Sequence, residues 1–205
     1  MWARYGIEKF GVPESIILFE YDTAKSANKW HPIITWSVKE FLEEVTKDTS
    51  IEMLGRSKFK KYKPNALEHR IKMRKILEPI MKLKEYPEGC IVWHEATTSL
   101  AQKYDIPSKY VYAINQRTMK SLINLYEKEK KVDYENLELV DNRSEVLNGS
   151  DNIGMTLKYK NKHVYYFNTI PNIAVIGTNG TYTQVVYGIL AAILTLLFDN
   201  LKKGV

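Results

Sequence analysis

The chain has 205 residues, 44% hydrophobic and 26% charged, with 7 Pro and 10 Gly, a balance that fits one or two compact domains and excludes wholesale disorder or a fibrous repeat. The single Cys90 excludes an internal disulfide and suits a reducing compartment. Net charge is +6, and it is concentrated: between Arg56 and Lys84, eleven basic residues face only Glu68 and Glu78.

Met1 to Phe10 has no apolar core of signal-peptide length, so no secretory leader is expected. Glu14 to Tyr21 is a short apolar run with β-branched residues and reads as a buried strand. Trp30 to Trp36 reads as a second strand, at an edge or bulge because of Pro32. Ser37 is a helix N-cap, with Glu40 completing a capping box and Phe41, Leu42 and Val45 forming the apolar face. Lys58 to Lys63 reads as a basic connection. From Asn65 a longer helix is predicted, with Leu67, Ile71, Ile76, Leu77, Ile80 and Met81 on one side and Pro79 ending or kinking it. Tyr86 to Gly89 marks a turn, and Cys90 to Trp93 is a short apolar lead into the next element.

Two helices are expected between Thr97 and Lys131, joined near Asp105 to Ser108. Leu137 to Val140, Gly154 to Tyr159 and His163 to Asn168 read as strands, with Lys160 to Lys162 a hairpin tip between the last two. Val185 to Phe198 has only Thr195 as a polar residue. No side of that helix is polar, and Tyr182, Tyr187, Asp199, Lys202 and Lys203 flank it as interfacial residues would. It reads as a membrane anchor through Val185, Val186, Ile189, Leu190, Ile193, Leu194, Leu197 and Phe198, with only 202–205 beyond the bilayer. A basic tip after a short span slightly favours a mitochondrial membrane.

The chain is thus expected to be α+β, a small mixed body with a helical middle and a β-hairpin, followed by one transmembrane-like helix. Its expected organisation is a strand–strand–helix unit (1–55), a basic helical region (56–131), a hairpin region (132–180) and the anchor (181–205).

Thr97 to Gln116 resembles the helix-turn-helix of bacterial repressors. Ala101 stands where the two helices would touch, Ile106 follows the turn, and Val111 and Ile114 would anchor the second helix. Asp105 stands where that family usually has Gly at a positive φ. The resemblance implies DNA reading by Ser108, Lys109, Tyr110, Tyr112, Asn115, Gln116 and Arg117.

Chemistry-bearing motifs are sparse. His31, His69, His94 and His163 are scattered, and Cys90 with His94 makes two ligands where zinc takes three or four. Gly177 to Gly180 lacks the Gly-Lys-Ser/Thr ending of a phosphate loop. No catalytic residue, metal, cofactor or small-molecule substrate is implied. The expected function is a non-enzymatic, membrane-anchored adaptor. It would dock an anionic protein or lipid partner through Arg56, Lys58, Lys60, Lys61, Lys63, Arg70, Lys72, Arg74 and Lys75. The alternative is a helix-turn-helix protein bound to nucleic acid. An enzyme whose site is assembled from distant residues is the third reading.

Overall fold

The computed structural model describes residues 2–28, 30–47 and 50–198. The chain opens with helix α1 (Trp2–Phe10), followed by strands β1 (Ser15–Asp22), β2 (Lys25–Ser26) and β3 (Ile33–Ile34). Helix α2 (Val38–Thr46) then leads to β4 (Ile51–Gly55), β5 (Lys58–Lys61), β6 (Arg70–Lys72), the short helix α3 (Arg74–Leu77) and β7 (Glu88–Val92). Helix α4 (Glu95–Tyr104), strand β8 (Ser108–Ala113) and helix α5 (Gln116–Glu129) come next. The last part holds β9 (Glu138–Leu139), β10 (Leu147–Asn148), β11 (Ser150–Lys158), β12 (His163–Pro171) and helix α6 (Gly180–Phe198).

Eight strands form one mixed sheet in the order β12-β11-β1-β8-β4-β5, with β7 also pairing β8 and β6 pairing β7. Stretches 1–55, 56–131 and 132–180 all contribute strands to this layer. Only β1 and β8 run parallel within it; the other pairs are antiparallel. Ile16 and Phe19, on opposite faces of β1, are fully buried, which explains why this central strand is apolar on both sides. On one face, α2 and α5 pack Phe41, Leu42, Val45, Met119 and Leu122 against Cys90, Val92 and Tyr112. Further along that face, Ala3 of α1 joins Ile16, Ile106, Met155 and Leu157. On the other face Phe19, Val111 and Ala113 meet Met73, Ile76 and Leu77.

Local signals predicted several elements well. Ser37 caps α2, its Oγ accepting from the Glu40 amide at 3.2 Å. The 160–162 tip closes the β11–β12 hairpin, with the Tyr159 amide donating to the Lys162 carbonyl at 2.9 Å. The α+β body and the C-terminal apolar helix are both present.

Three expectations are corrected. The helix from Asn65 is absent: Asn65 caps only a 3-10 turn (Ala66–Glu68), and Ile71 pairs with Gly89 in the sheet. Helix survives only at Arg74–Leu77, just ahead of Pro79. The strand at 30–36 shrinks to Ile33–Ile34, which pairs in parallel with β9. The basic connection at 58–63 is in part an exposed edge strand, β5, where lysines discourage pairing with another chain.

The largest correction concerns 97–116. Asp105 does take the left-handed conformation, φ 55 and ψ 42, at the end of α4. The next element is strand β8 in the middle of the sheet, not a second helix. Tyr110, Val111 and Tyr112 favour a strand, and pairing with β1 on one side and β7 on the other fixes it. The helix-turn-helix geometry is therefore absent, and Cys90 and His94 share no helix face because Cys90 lies in β7.

Candidate functional site

Strand β1 ends in two acids, Glu20 and Asp22, on the face that also carries Ile16 and Leu18. Register brings Asp151 of β11 directly opposite Asp22, and Tyr112 of β8 beside Glu20. Asp22 and Asp151 are 3% and 0% exposed, while Glu20 is partly exposed. Tyr110 donates its hydroxyl to Glu20 Oε2 at 2.7 Å, and its ring stacks on His94 at 4.5 Å. Trp36 Nε1 donates to the Tyr112 hydroxyl at 2.8 Å. Trp36, Phe41 and Tyr112 form an edge-to-face triad.

Polar groups from α6 close the inner end. Thr35 Oγ1 donates to Asp22 Oδ2 at 2.5 Å and lies 3.0 Å from Thr181 Oγ1. Gln184 Nε2 donates to the Asp151 carbonyl at 2.9 Å and to its Oδ2 at 3.2 Å, and Thr181 also hydrogen-bonds the buried Asp151 carboxyl. Asn179 caps α6 by accepting from the Tyr182 amide at 3.0 Å and donates Nδ2 to the Thr35 carbonyl at 2.7 Å. Gly180 is required here, because a Cβ would stand 2.8 Å from the Ile170 carbonyl oxygen and 3.1 Å from Asp151 Cβ.

Burial dominates the acid–base behaviour of this group. It pushes Glu20 up to about 7, with the Tyr110 hydrogen bond opposing and the charge on Asp22 adding. Burial, then the charges on Glu20 and Asp22, pushes Asp151 up to about 9. Burial raises Asp22 too, against the hydrogen bonds from Thr35 and the Ala24 amide. The His94 imidazole is lowered by burial, and the Tyr110 and Tyr112 phenols are raised well above their ordinary value. Among the described residues, no Lys or Arg forms an ion pair with Glu20, Asp22 or Asp151. The arrangement gathers three carboxyl groups raised by burial, two phenols and several aromatic rings on one face of the sheet.

None of the three acids stood out in the sequence. The available signal was Glu20 and Asp22 two apart, on the core-facing side of a strand otherwise built from Ile, Leu, Phe and Tyr.

The residues assigned to DNA reading are dispersed. Ser108 is buried, donating to the Thr97 carbonyl at 2.8 Å, and Lys109 pairs with Glu52 at 2.8 Å. Asn115 caps α5, and Gln116 holds the Glu88 amide at 3.1 Å and the Ile114 carbonyl at 2.9 Å. Arg117 lies over Trp30, 5.4 Å from its centroid.

The basic stretch is split as well. Lys58, Lys60 and Lys61 line the edge strand β5, and Lys63 is exposed beyond them. Arg56 donates to Asp105 and to the Gln102 carbonyl. Arg70 and Arg74 pair with Glu88 and Glu78, while Lys72 and Lys75 are exposed.

Helix α6 is 19 residues, long and apolar enough to cross a membrane, and little of it is buried. The eight anchor residues, Val185 to Phe198, all lie in it, with Val185 52% and Phe198 79% exposed. The flanking Asp199, Lys202 and Lys203 lie outside the described residues.

No family model matches the chain, and no curated protein matches it. Its fold is similar to that of the homospermidine synthase of Legionella pneumophila, solved in complex with NAD. The two share a TM-score of 0.72 and 17% identity over 94% of this chain and 47% of that one. The chain thus spans about half the length of that enzyme. This likeness overturns the adaptor and the DNA-binding readings: the body has a fold found in an enzyme, and its supposed recognition helix is a sheet strand.

Among the described residues, neither the end of β1 nor the Gly177–Gly180 segment fits a dinucleotide. Such sites use a glycine-rich turn between a strand and a helix, in a parallel sheet. Here β1 runs into Thr23, Ala24 and Lys25 and a second strand, and the sheet is mostly antiparallel. The Gly177–Gly180 segment comes after a 3-10 turn rather than a strand, and the Asn179 side chain already occupies the α6 cap.

Proposed function

We propose that this chain is an enzyme-type domain that binds an aliphatic amine, with Glu20, Asp22 and Asp151 as its anionic partners and Tyr110, Tyr112 and Trp36 as its aromatic wall. The observation that carries the reading is the convergence of three carboxylates on one sheet face with no basic partner among the described residues. Burying ionised carboxylates costs several kcal/mol each, roughly, unless a cation compensates. A ligand ammonium would supply that charge, and the nearby rings suit cation–π contact. The enzyme of similar fold is named for a polyamine, a molecule of this chemistry. In the resting domain the raised carboxyls hold protons near neutral pH. Amine binding would expel those protons, so affinity should rise with pH until the amine itself begins to deprotonate.

Calorimetric titration with 1,4-diaminobutane and a linear triamine, against butane-1,4-diol, tests this. The amines should bind with proton release, and Glu20→Gln with Asp151→Asn should weaken them at least about tenfold, the loss of roughly 1.4 kcal/mol. Equal binding of the diol, or no binding of either amine, would overturn the proposal. The exposed sides of α6 suit hydrocarbon, and contact with a lipid bilayer is proposed for them. Flotation with neutral phosphatidylcholine vesicles should carry the protein, and should fail for Leu190→Lys with Leu194→Lys. Vesicles that leave the unmodified chain behind would refute the contact.

A further inference from the structure

Helix α6 leaves the sheet partway along its length. Gly180 and Gln184 are buried against it, while Val185, Val186 and Tyr187 are exposed. Gly188 and Ala191 follow Gln184 by four and seven positions, so they lie on the same side of the helix. That side overhangs a cleft of about 670 Å³, floored by Leu18, Ile153 and Met155 of the sheet. A Cβ built on Gly188 meets nothing within 4 Å, so the helix stands off from this floor instead of packing on it. The volume lies within the range of small-molecule pockets, about 300–1,000 Å³.

Among the described residues, no Lys, Arg, His, Asp or Glu lines the cleft. Its inner polar groups are already engaged. Asn168 Nδ2 donates to Gln184 Oε1 at 3.0 Å, and Gln184 Nε2 donates to Asp151, which keeps that carboxyl behind it. A charged ligand therefore finds no counter-charge here, and water deep in the cleft finds too few of the two to four polar contacts it needs. Hydrocarbon would restore the van der Waals contacts that the lining forgoes. Two exposed aromatic residues, Trp2 of α1 and Tyr187 of α6, stand on the rim. Trp and Tyr concentrate where a bilayer meets water. From that rim the apolar surface of α6 continues through the exposed Ile189, Leu190, Ile193 and Leu194. A chain can thus pass from surrounding hydrocarbon into the cleft without crossing a charged side chain.

We propose that the cleft beneath α6 takes one acyl chain of a bilayer phospholipid, drawn from the leaflet that α6 enters. This rests on the bilayer contact proposed for α6 and adds a lipid-binding site to it; it is independent of the carboxylates and of the amine reading. The overhanging wall from Gln184 to Ala191 runs roughly 10 Å along the helix. It holds part of a chain and leaves the headgroup outside, at the level of Trp2 and Tyr187.

The test places the full-length protein in phosphatidylcholine vesicles whose lipid is either unmodified or brominated deep in its acyl chains. Bromine quenches tryptophan emission only near contact, and Trp2→Phe identifies the share of the emission that comes from the cleft rim. The brominated lipid should remove most of that share. Gly188→Phe, which has open space to fill, should restore it while flotation with the vesicles stays unchanged. Flotation with the Trp2 emission unquenched would overturn the lipid site and leave the bilayer contact standing. Quenching that Gly188→Phe leaves intact would do the same, because the chain would then lie outside the cleft. Vesicles that leave the protein behind would remove both the site and the contact.

Discussion

Replacing Glu20 by Gln isolates the cost of holding a carboxyl inside this fold. Glu20 has an ordinary value of 4.5 and stands at about 7 in the folded chain, chiefly through burial. Between those pH values the folded state binds more protons than the unfolded state, so stability falls as pH rises. The stabilising protonated form is complete below pH 4.5 and is lost on passing through 7. At about 1.4 kcal/mol per pH unit, that interval corresponds to ~3 kcal/mol. Gln is neutral throughout and still offers an oxygen to the Tyr110 hydroxyl, so the substitution removes the titration with little change of shape. Urea unfolding in mild detergent, followed by tryptophan fluorescence at pH 4.5 to 8, gives the stability of both proteins. The difference should move by ~3 kcal/mol towards the variant as pH rises. Carboxylates held low by ion pairs, such as Glu78 beside Arg74 and Asp141 beside Arg143, titrate alike in both proteins and cancel. A difference that stays level, or one that turns towards the unmodified chain with rising pH, would show that Glu20 is not held protonated by burial.

Other consequences concern packing and caps. Gly154→Ala would place a Cβ 2.2 Å from Phe19 Cζ in the core, and chemical unfolding should show a loss of about 1–3 kcal/mol. Trp36→Phe leaves the Tyr112 hydroxyl without its donor, and the same assay should register a loss of roughly 1–3 kcal/mol. Lys130 ends α5 at φ 55, a conformation that favours glycine, so Lys130→Gly should raise the melting temperature, with a gain of up to about 1 kcal/mol.

What could be read from the sequence was whatever nearest neighbours decide. Ser37 with Glu40 specified the start of α2, because a cap is satisfied within one helical turn. The alternating run before Lys160 and after Lys162 specified a hairpin, since its two strands meet across a short tip. Val185 to Phe198 specified a helix without a polar side, and α6 has that form.

The tertiary structure decided whatever depended on partners far along the chain. Ile71 and Val111 recur at helical spacing, yet both entered strands, because sheet hydrogen bonds to β7 and β1 outweigh a weak local preference. Glu20 and Asp151 are 131 positions apart and lie on one face only because β1 and β11 pair in that register; a slip of one residue would turn Asp151 to the opposite side. Composition supplied the carboxylates, and long-range register, which no short window of sequence contains, made them neighbours.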